Sequence, residues 1–308
     1  MANNNGTAYA VVGASGNTGR IVAEQLLASG KKVRAIGRNA DHLKSLVDKG
    51  AEPFVASVED ESALTKAFTG ARAVYSMIPP NMAAADRTSY IDRVGEALAG
   101  AIADAHVPYV INLSSMAANK GEQGFQRRMY EQEQRLNRLP DAINVVHLRP
   151  PMFMENFLAS INAIKKAGVI AYPIKPDIGI PMIATQDIAS EAARLLLGLN
   201  FSGKSTKTLL GQRDVSMAEA TRIIGRAINR NVRYVQVPYD EHIKTLVQAG
   251  LPLDVADTLT GLYRRMNEGV GIPAEKRTSE NTTPTSFEQF AQKFAAIYNN
   301  NSNDSEAQ

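Results

Sequence analysis

Val11-Val12-Gly13-Ala14-Ser15-Gly16-Asn17-Thr18-Gly19-Arg20-Ile21 is the stretch on which the fold of this 308-residue chain turns. The apolar run Tyr9–Val12 ends on three glycines spaced GxxGxxG, and Ile21, Ala23, Leu26 and Leu27 follow at helical spacing. A glycine turn between a strand and a helix is the context that gives such a pattern a nucleotide meaning. Gly13 permits the tight turn, Gly16 lets backbone approach a pyrophosphate, and Gly19 lets the helix pack closely. The unpaired N–H groups and positive dipole of the helix start suit an anion. The competing reading is a glycine turn needed for packing alone.

Outward from this turn, short β-rich runs alternate with helical stretches. Strands are expected at Lys32–Ile36, Pro53–Ala56, Ala73–Ile78, Tyr109–Leu113 and Ile143–Leu148. Helices are expected over Asp41–Asp48, Glu59–Phe68, Ala85–Ala105 and Gln126–Arg138. Strands separated by helices of this length make right-handed βαβ units on a parallel sheet. Beyond Arg149-Pro150-Pro151 the rhythm loosens. Helices are expected near Glu155–Lys166, Thr185–Gly198 and Met217–Asn229, and almost throughout Tyr239–Met266 with a break at Gly250-Leu251-Pro252. Shorter strands are expected at Ile178–Ile183, Thr206–Leu210 and Arg233–Val237, and a last helix at Phe287–Tyr298, capped by Ser286. The fold class is therefore α/β: a doubly wound parallel sheet over residues 1–150, with part of 178–212 returning to it. A smaller helix-rich domain covers 151–298, and residues 299–308 read as a disordered tail.

Composition removes several functions. With no Cys there is no disulfide framework, thiolate nucleophile or cysteine metal site. The four histidines are scattered, none in an HExxH spacing, so no metal site is expected. The net charge of +3 comes from dispersed bases, such as Arg127-Arg128 and Arg264-Arg265, and not from a basic groove with interleaved aromatics. Nucleic acid is thus not expected as a partner. The N-terminus has neither a basic nor an apolar leader region, and no window approaches 18 apolar residues, so a soluble, cytoplasmic protein is expected.

The second strand selects the cofactor. An acidic ribose ligand is expected about 20 residues past the glycines. Arg38, at the end of Ile36-Gly37-Arg38, stands there. A guanidinium cannot accept from ribose hydroxyls but grips a 2′-phosphate, which favours NADP(H) over NAD(H). The alternative is an ordinary exposed arginine.

The GASGNTG loop (Gly13–Gly19), Arg38 and Leu148-Arg149-Pro150-Pro151-Met152-Phe153-Met154-Glu155-Asn156 resemble the NmrA-like branch of atypical short-chain dehydrogenases/reductases. So do Asp92–Ala97 (DRVGEA), Asn112–Ser115, Pro181–Thr185 and Asn281–Thr285, in the family's order. The resemblance implies a Rossmann domain binding NADP(H), with a smaller C-terminal domain closing over the nicotinamide. It implies reductases of quinones, azo dyes and related conjugated compounds, or NADP-sensing regulators without chemistry. Cofactor contacts are then expected from Gly13, Ser15, Gly16, Asn17, Thr18, Gly19 and Arg38. Ser57 and Val58 should flank the adenine, and Met77, Ile78 and Pro79 the nicotinamide ribose. Pro151, Met152 and Phe153 should lie against the nicotinamide. For Met77, Ile78 and Phe153, core packing is the alternative.

Short-chain dehydrogenases pair Tyr-xxx-Lys with an upstream Ser. Here Tyr130 is followed at the lysine position by Gln134, a neutral amide that cannot lower a phenol's pKa by charge. Ser114 and Ser115 end the fifth strand and are candidates to hold a substrate carbonyl, or else cap a helix. Tyr130 is a candidate proton donor, or else packs on its helix. A conjugated acceptor needs little more than orientation and oxyanion stabilisation, since the cofactor carries the hard step. Tyr239, Leu246, Leu259, Tyr263 and Met266 are candidate walls of an apolar pocket, though apolar residues at helical spacing also make core. The expected substrate is a small aromatic or conjugated molecule, and a homodimer is possible on this reading.

Overall fold

Ala8, Tyr9, Ala10, Val11 and Val12 are all buried, the mark of a central parallel strand covered on both faces. The structure, a computed structural model, describes residues 8–81, 84, 86–118, 124–269 and 275–303. Strands and helices alternate from the start: β1 (Ala8–Val12), α1 (Gly19–Ala28), β2 (Val33–Gly37), α2 (Lys44–Val47), β3 (Glu52–Val55), α3 (Glu61–Phe68), β4 (Ala71–Ser76), α4 (Arg87–Asp104), β5 (Tyr109–Leu113), α5 (Gly124–Asn137) and β6 (Asn144–Arg149). They are followed by β7 (Met152–Phe153), α6 (Ile161–Ala167), β8 (Val169–Tyr172), β9 (Ile180–Ile183), α7 (Thr185–Gly198), β10 (Lys204–Thr208), β11 (Asp214–Val215), α8 (Met217–Ala227), β12 (Arg233–Gln236), α9 (Tyr239–Gln248), α10 (Leu253–Asn267) and α11 (Phe287–Asn303).

Two compact units divide the chain. Unit one takes the described residues up to Arg149 together with Ile188–Thr208, and unit two takes Pro150–Asp187 with the described residues from Leu209 onward. Unit one is a seven-stranded sheet in the order β10-β6-β5-β4-β1-β2-β3, and its pairings are all parallel. The chain winds from β1 outward through β2 and β3, then returns to the other side of β1 for β4, β5 and β6. The doubly wound class expected from the sequence is the one observed. Its switch point lies between β1 and β4, where ligands of such sheets bind beyond the carboxyl ends of the strands. α4 covers one face with Tyr90, Ile91, Val94, Leu98, Ala101 and Ile102, spaced by three and four residues. Side chains start two of the helices: Asp60 Oδ1 accepts from the Ala63 N–H at 3.0 Å, and Asp86 Oδ1 from the Ser89 N–H at 2.9 Å.

Unit two holds a three-stranded sheet, β11-β9-β7, and the parallel pair β12-β8. Its core gathers Met154, Phe157, Ile164, Ile170, Met182, Ile224, Phe287 and Phe294. The segments resembling the family serve this unit structurally. Glu155 accepts the Thr185 N–H at 3.0 Å and its hydroxyl at 2.7 Å. Asp187 accepts the Thr285 N–H at 3.0 Å and its hydroxyl at 2.6 Å.

Some sequence expectations need correction. The fourth strand stops at Ser76 and not Ile78, leaving Met77 and Ile78 beyond the sheet edge. The returning strand is Lys204–Thr208, displaced from Thr206–Leu210 because its partner, β6, sets the register through Lys204↔Val145 to Thr208↔Arg149. The last helix passes Tyr298 and runs to Asn303, where disorder was expected; extending an existing helix costs far less than starting one. Ala85, expected to open the fourth helix, lies outside the described residues, as does the tail from residue 304.

Candidate nucleotide site

The loop after β1 is fixed by its own backbone. Gly13 adopts φ +66°, a left-handed conformation that only glycine takes without strain. The Gly16 N–H donates to the Gly13 carbonyl at 2.9 Å, and the Ala14 N–H to the Ile36 carbonyl at 3.1 Å. A Cβ on Gly19 would come within 2.3 Å of that Gly13 oxygen, so the α1 start packs against the strand end only as glycine. A Cβ on Gly16 would lie 3.2 Å from the same oxygen. No side chain caps α1, and no acidic residue occupies its first turn. Ser15, Gly16 and Asn17 are exposed there, so the helix amides open toward solvent with the positive end of the dipole.

Thr18 lies on the other side of this loop. It is buried, and its hydroxyl accepts from the Tyr75 hydroxyl at 2.9 Å. Burial pushes the Tyr75 phenol well above its usual range, so it remains a donor. Met77, just past β4, reaches the loop from the neighbouring strand, its sulfur 2.7 Å from where a Gly13 Cβ would stand. Ends of the two switch-point strands therefore touch.

Arg38 is exposed immediately after β2. The Tyr90 hydroxyl, which donates to the Pro79 carbonyl at 3.0 Å, is pushed up in pKa by burial and drawn back by Arg38, Arg87 and Arg93. Glu59, paired with Arg93 at 2.9 Å, adds a negative charge to the same surroundings, so Arg93 is balanced there. Ser57 is exposed, its oxygen accepting the Glu59 N–H at 3.2 Å. Val58 is buried in the same core cluster as Leu64, Phe68 and Tyr90. Ile78 and Pro79 are half-buried.

Beyond β5 the two serines differ. Ser114 is buried; its N–H donates to the Leu148 carbonyl at 2.8 Å and its hydroxyl to Glu133. Glu133, on the buried face of α5, is held by Arg149 through Nε at 2.8 Å and through Nη2. A carboxylate gripped this way accepts only, so the Ser114 proton is committed. Ser115 is half-buried, and its oxygen accepts the Ala117 N–H at 3.2 Å. Its own proton finds no acceptor among the described residues. Tyr130 is half-buried on α5 and packs against the core cluster that Met77 and Ile78 also flank. Next to this network His147 sits between Asn112, at 3.1 Å, and Asn137, at 3.0 Å, and burial lowers its pKa to about 4.

Glu133 was missed by sequence reasoning. The available signal was a carboxylate at the buried spacing of Met129, Glu133 and Leu136. Pro151, Met152 and Phe153 belong to unit two, where Met152 and Phe153 form β7 paired with Met182 and Ile183. Of the proposed pocket walls, Met266 is buried in the unit-two core, Tyr239 accepts from Asn267 at 2.7 Å, and Tyr263 packs edge-on against Tyr172 at 5.9 Å. Leu246 and Leu259 are half-buried. Among the described residues no helix is long and apolar enough to cross a membrane, and no cluster of His, Asp and Glu is placed to hold a metal.

A model of the NmrA-like family matches residues 7–291. The chain belongs to the NmrA-like family. Among curated relatives, it is 28% identical over 156 residues to prestalk A differentiation protein A of Dictyostelium discoideum, a match covering 49% of this chain and 50% of that protein. It is 24% identical over 256 residues to an NAD(P)H azoreductase of Xenophilus azovorans, covering 82% and 85%. Among solved structures, an NADPH-dependent quinone oxidoreductase from Escherichia coli, complexed with NADPH, superposes with a TM-score of 0.77 at 23% identity, covering 92% of this chain and 99% of that one. This last likeness is one of fold, and it covers both units of the NmrA-like chain.

Proposed function

We propose that this NmrA-like chain is an NADPH-dependent oxidoreductase that passes hydride to a quinone, enone, azo compound or similar conjugated acceptor. The observation that carries the reading is the glycine loop: an uncapped helix start with exposed Ser15, Gly16 and Asn17, set at the switch point of the sheet. The fit to a dinucleotide is steric as well as electrostatic, because Gly16 and Gly19 leave out the side chains that would close the cradle. The α1 amides hold the pyrophosphate and Arg38 the 2′-phosphate. Met77, Ile78 and Pro79 border the ribose that follows. The names of the azoreductase and quinone oxidoreductase relatives support the acceptor class.

NADPH, when bound, supplies the hydride. Ser115, whose O–H meets no acceptor among the described residues, donates to the substrate oxygen on which charge develops. Ser114 can only accept, because Glu133 holds its proton. Tyr130, as a neutral phenol, or solvent returns the proton; Gln134 brings no charge to acidify that phenol. A second reading is an NADP(H) sensor without turnover, favoured by Gln134 and by the likeness to a differentiation protein. Both are tested by mixing the protein and NADPH with menadione, an enone and an azo dye, and following absorbance near ~340 nm, where the reduced cofactor that carries the chemistry absorbs. Turnover of one class supports the reductase. Absence of turnover, with tight binding of one nicotinamide redox form, supports the sensor.

A further inference from the structure

A cavity of about 360 Å³ opens on unit two where α8 ends and the chain turns toward β12, lined by Arg222, Arg226, Asn229, Arg230, Asn231 and Val232. No carboxylate lines it. Arg222 and Arg226 are exposed one turn apart on α8, a like-charge spacing that costs helix stability. Neither meets an acidic partner among the described residues. Elsewhere Arg20, Arg34, Arg93, Arg135 and Arg277 each meet a carboxylate at 2.6–3.2 Å. What sets the α8 pair apart is its place: both guanidinium groups line one cavity whose lining holds no carboxylate.

The third arginine is held in place without being neutralised. Arg230 Nη1 donates to the Tyr298 hydroxyl at 2.7 Å and Nη2 to the Lys165 carbonyl at 3.1 Å, both uncharged acceptors. The Lys165 ammonium lies 5.4 Å from the Tyr298 ring centroid and adds positive charge to the same corner. The turn itself is rigid. Asn229 takes φ +51°, the Arg230 N–H donates to the Gly225 carbonyl at 2.9 Å, and a Cβ on Gly225 would come 2.8 Å from the Arg230 oxygen.

We propose that this cavity binds a small phosphorylated molecule, with Arg222, Arg226 and Arg230 on its phosphate groups and Asn229 and Asn231 on its polar body. Guanidinium forks match phosphate oxygens two at a time, which makes a cluster of them a phosphate site more than a site for a lone carboxylate. The volume lies in the ligand-pocket range and is too large for one phosphate alone. The basic groups line a concavity and do not extend along a track, as contacts to a nucleic-acid backbone do. The lining residues all belong to unit two, whereas the glycine loop belongs to unit one.

Pyrophosphate is the probe. The protein, saturated with NADPH to occupy the glycine loop, is titrated calorimetrically with pyrophosphate, and its Tm is followed with NaCl holding ionic strength constant. Saturable binding and a raised Tm are expected. In the double variant Arg222→Gln/Arg226→Gln the affinity should fall at least ~10-fold, the loss expected for charge-assisted hydrogen bonds, while the Tm without pyrophosphate holds or rises as the like-charge repulsion is relieved. Equal binding by both proteins would place the anion elsewhere and overturn the proposal, whether or not NADPH binds. Equal effects of sulfate and pyrophosphate would mean an adventitious ion only. Tighter arginine-dependent binding of a DNA oligonucleotide would replace the small ligand with a nucleic-acid surface.

Discussion

On the proposed function, Arg38 is the residue expected to carry the cofactor discrimination, because it is exposed directly beyond the second strand. Arg38→Asp sets a carboxylate against a dianionic phosphate. Charge-assisted hydrogen bonds contribute about 1.5–3 kcal/mol, so NADPH binding should weaken roughly 10–100-fold. NADH affinity should hold or rise; calorimetric titration of both cofactors at one ionic strength separates this from general damage. At β5 the two serines should part company. Ser115→Ala should lower kcat with Tm unchanged, whereas Ser114→Ala should lower Tm and spare kcat, because Glu133 claims that hydroxyl for the fold. The reverse pattern would exchange their roles. His147 gives a pH signature. Burial lowers its pKa from 6.5 to about 4, so the unfolded chain takes up a proton that the folded chain refuses between those values. The stability gained from a neutral His147 is complete above pH ~6.5 and is lost as pH falls toward 4, by on the order of 3 kcal/mol. Urea unfolding at pH 7 and 4.5 should show this slope, and His147→Gln should flatten it.

The β1–loop–α1 element tolerates little at its third glycine. In Gly19→Ala the new methyl meets backbone, the Gly13 carbonyl, at 2.3 Å, so the helix start must move away from the strand. Overpacking of this kind costs about 1–3 kcal/mol, and moving the amides should weaken NADPH binding more than ~10-fold. Chemical unfolding and a fluorescence titration would measure both; an unchanged affinity would mean the α1 amides do not hold the cofactor. This element was legible in the sequence because its constraints are local: a buried apolar run, a turn only glycine can make, and a helical repeat. The rest of the unit-one alternation was legible for the same reason. The strands β7, β8 and β11 were not: β7 and β11 have two residues each, too few for a period, and β8 pairs with the distant β12. The same limit hid what side chains do once folded. Thr18 belongs to the glycine motif, yet its hydroxyl turns inward to Tyr75. Glu133 looks like a surface charge on a polar helix until Ser114 and Arg149 are brought to it from two strand ends.

On the scale of the molecule, the first unit is discontinuous in sequence, and this has consequences for any attempt to isolate it. β10 pairs with β6 in register from Lys204↔Val145 to Thr208↔Arg149, so residues up to Arg149 alone leave β6 as an open edge. That edge strand carries Val145, Val146 and Leu148, all buried in the intact chain. An exposed apolar edge with unpaired N–H and C=O groups is a template for aggregation. The exposed residues on β10, Ser205 and Thr206, mark it as the strand suited to face solvent instead. Ile188, Ala189, Ala192, Ala193 and Leu196 of α7 are also buried, and Ser190 accepts from the Gln25 side chain at 2.9 Å, so the returning segment brings a helix as well as a strand. A fragment ending at Arg149 should therefore aggregate or lack cooperative unfolding. The same fragment joined through a flexible Gly/Ser linker to residues 185–208 should fold and bind NADPH, since the glycine loop, Arg38 and both serines all lie in unit one. Circular dichroism melts and NADPH titration of the two fragments decide the matter. If the fragment ending at Arg149 melts cooperatively and binds as well as the fusion, then β10 is an accessory to the sheet and not part of what closes it.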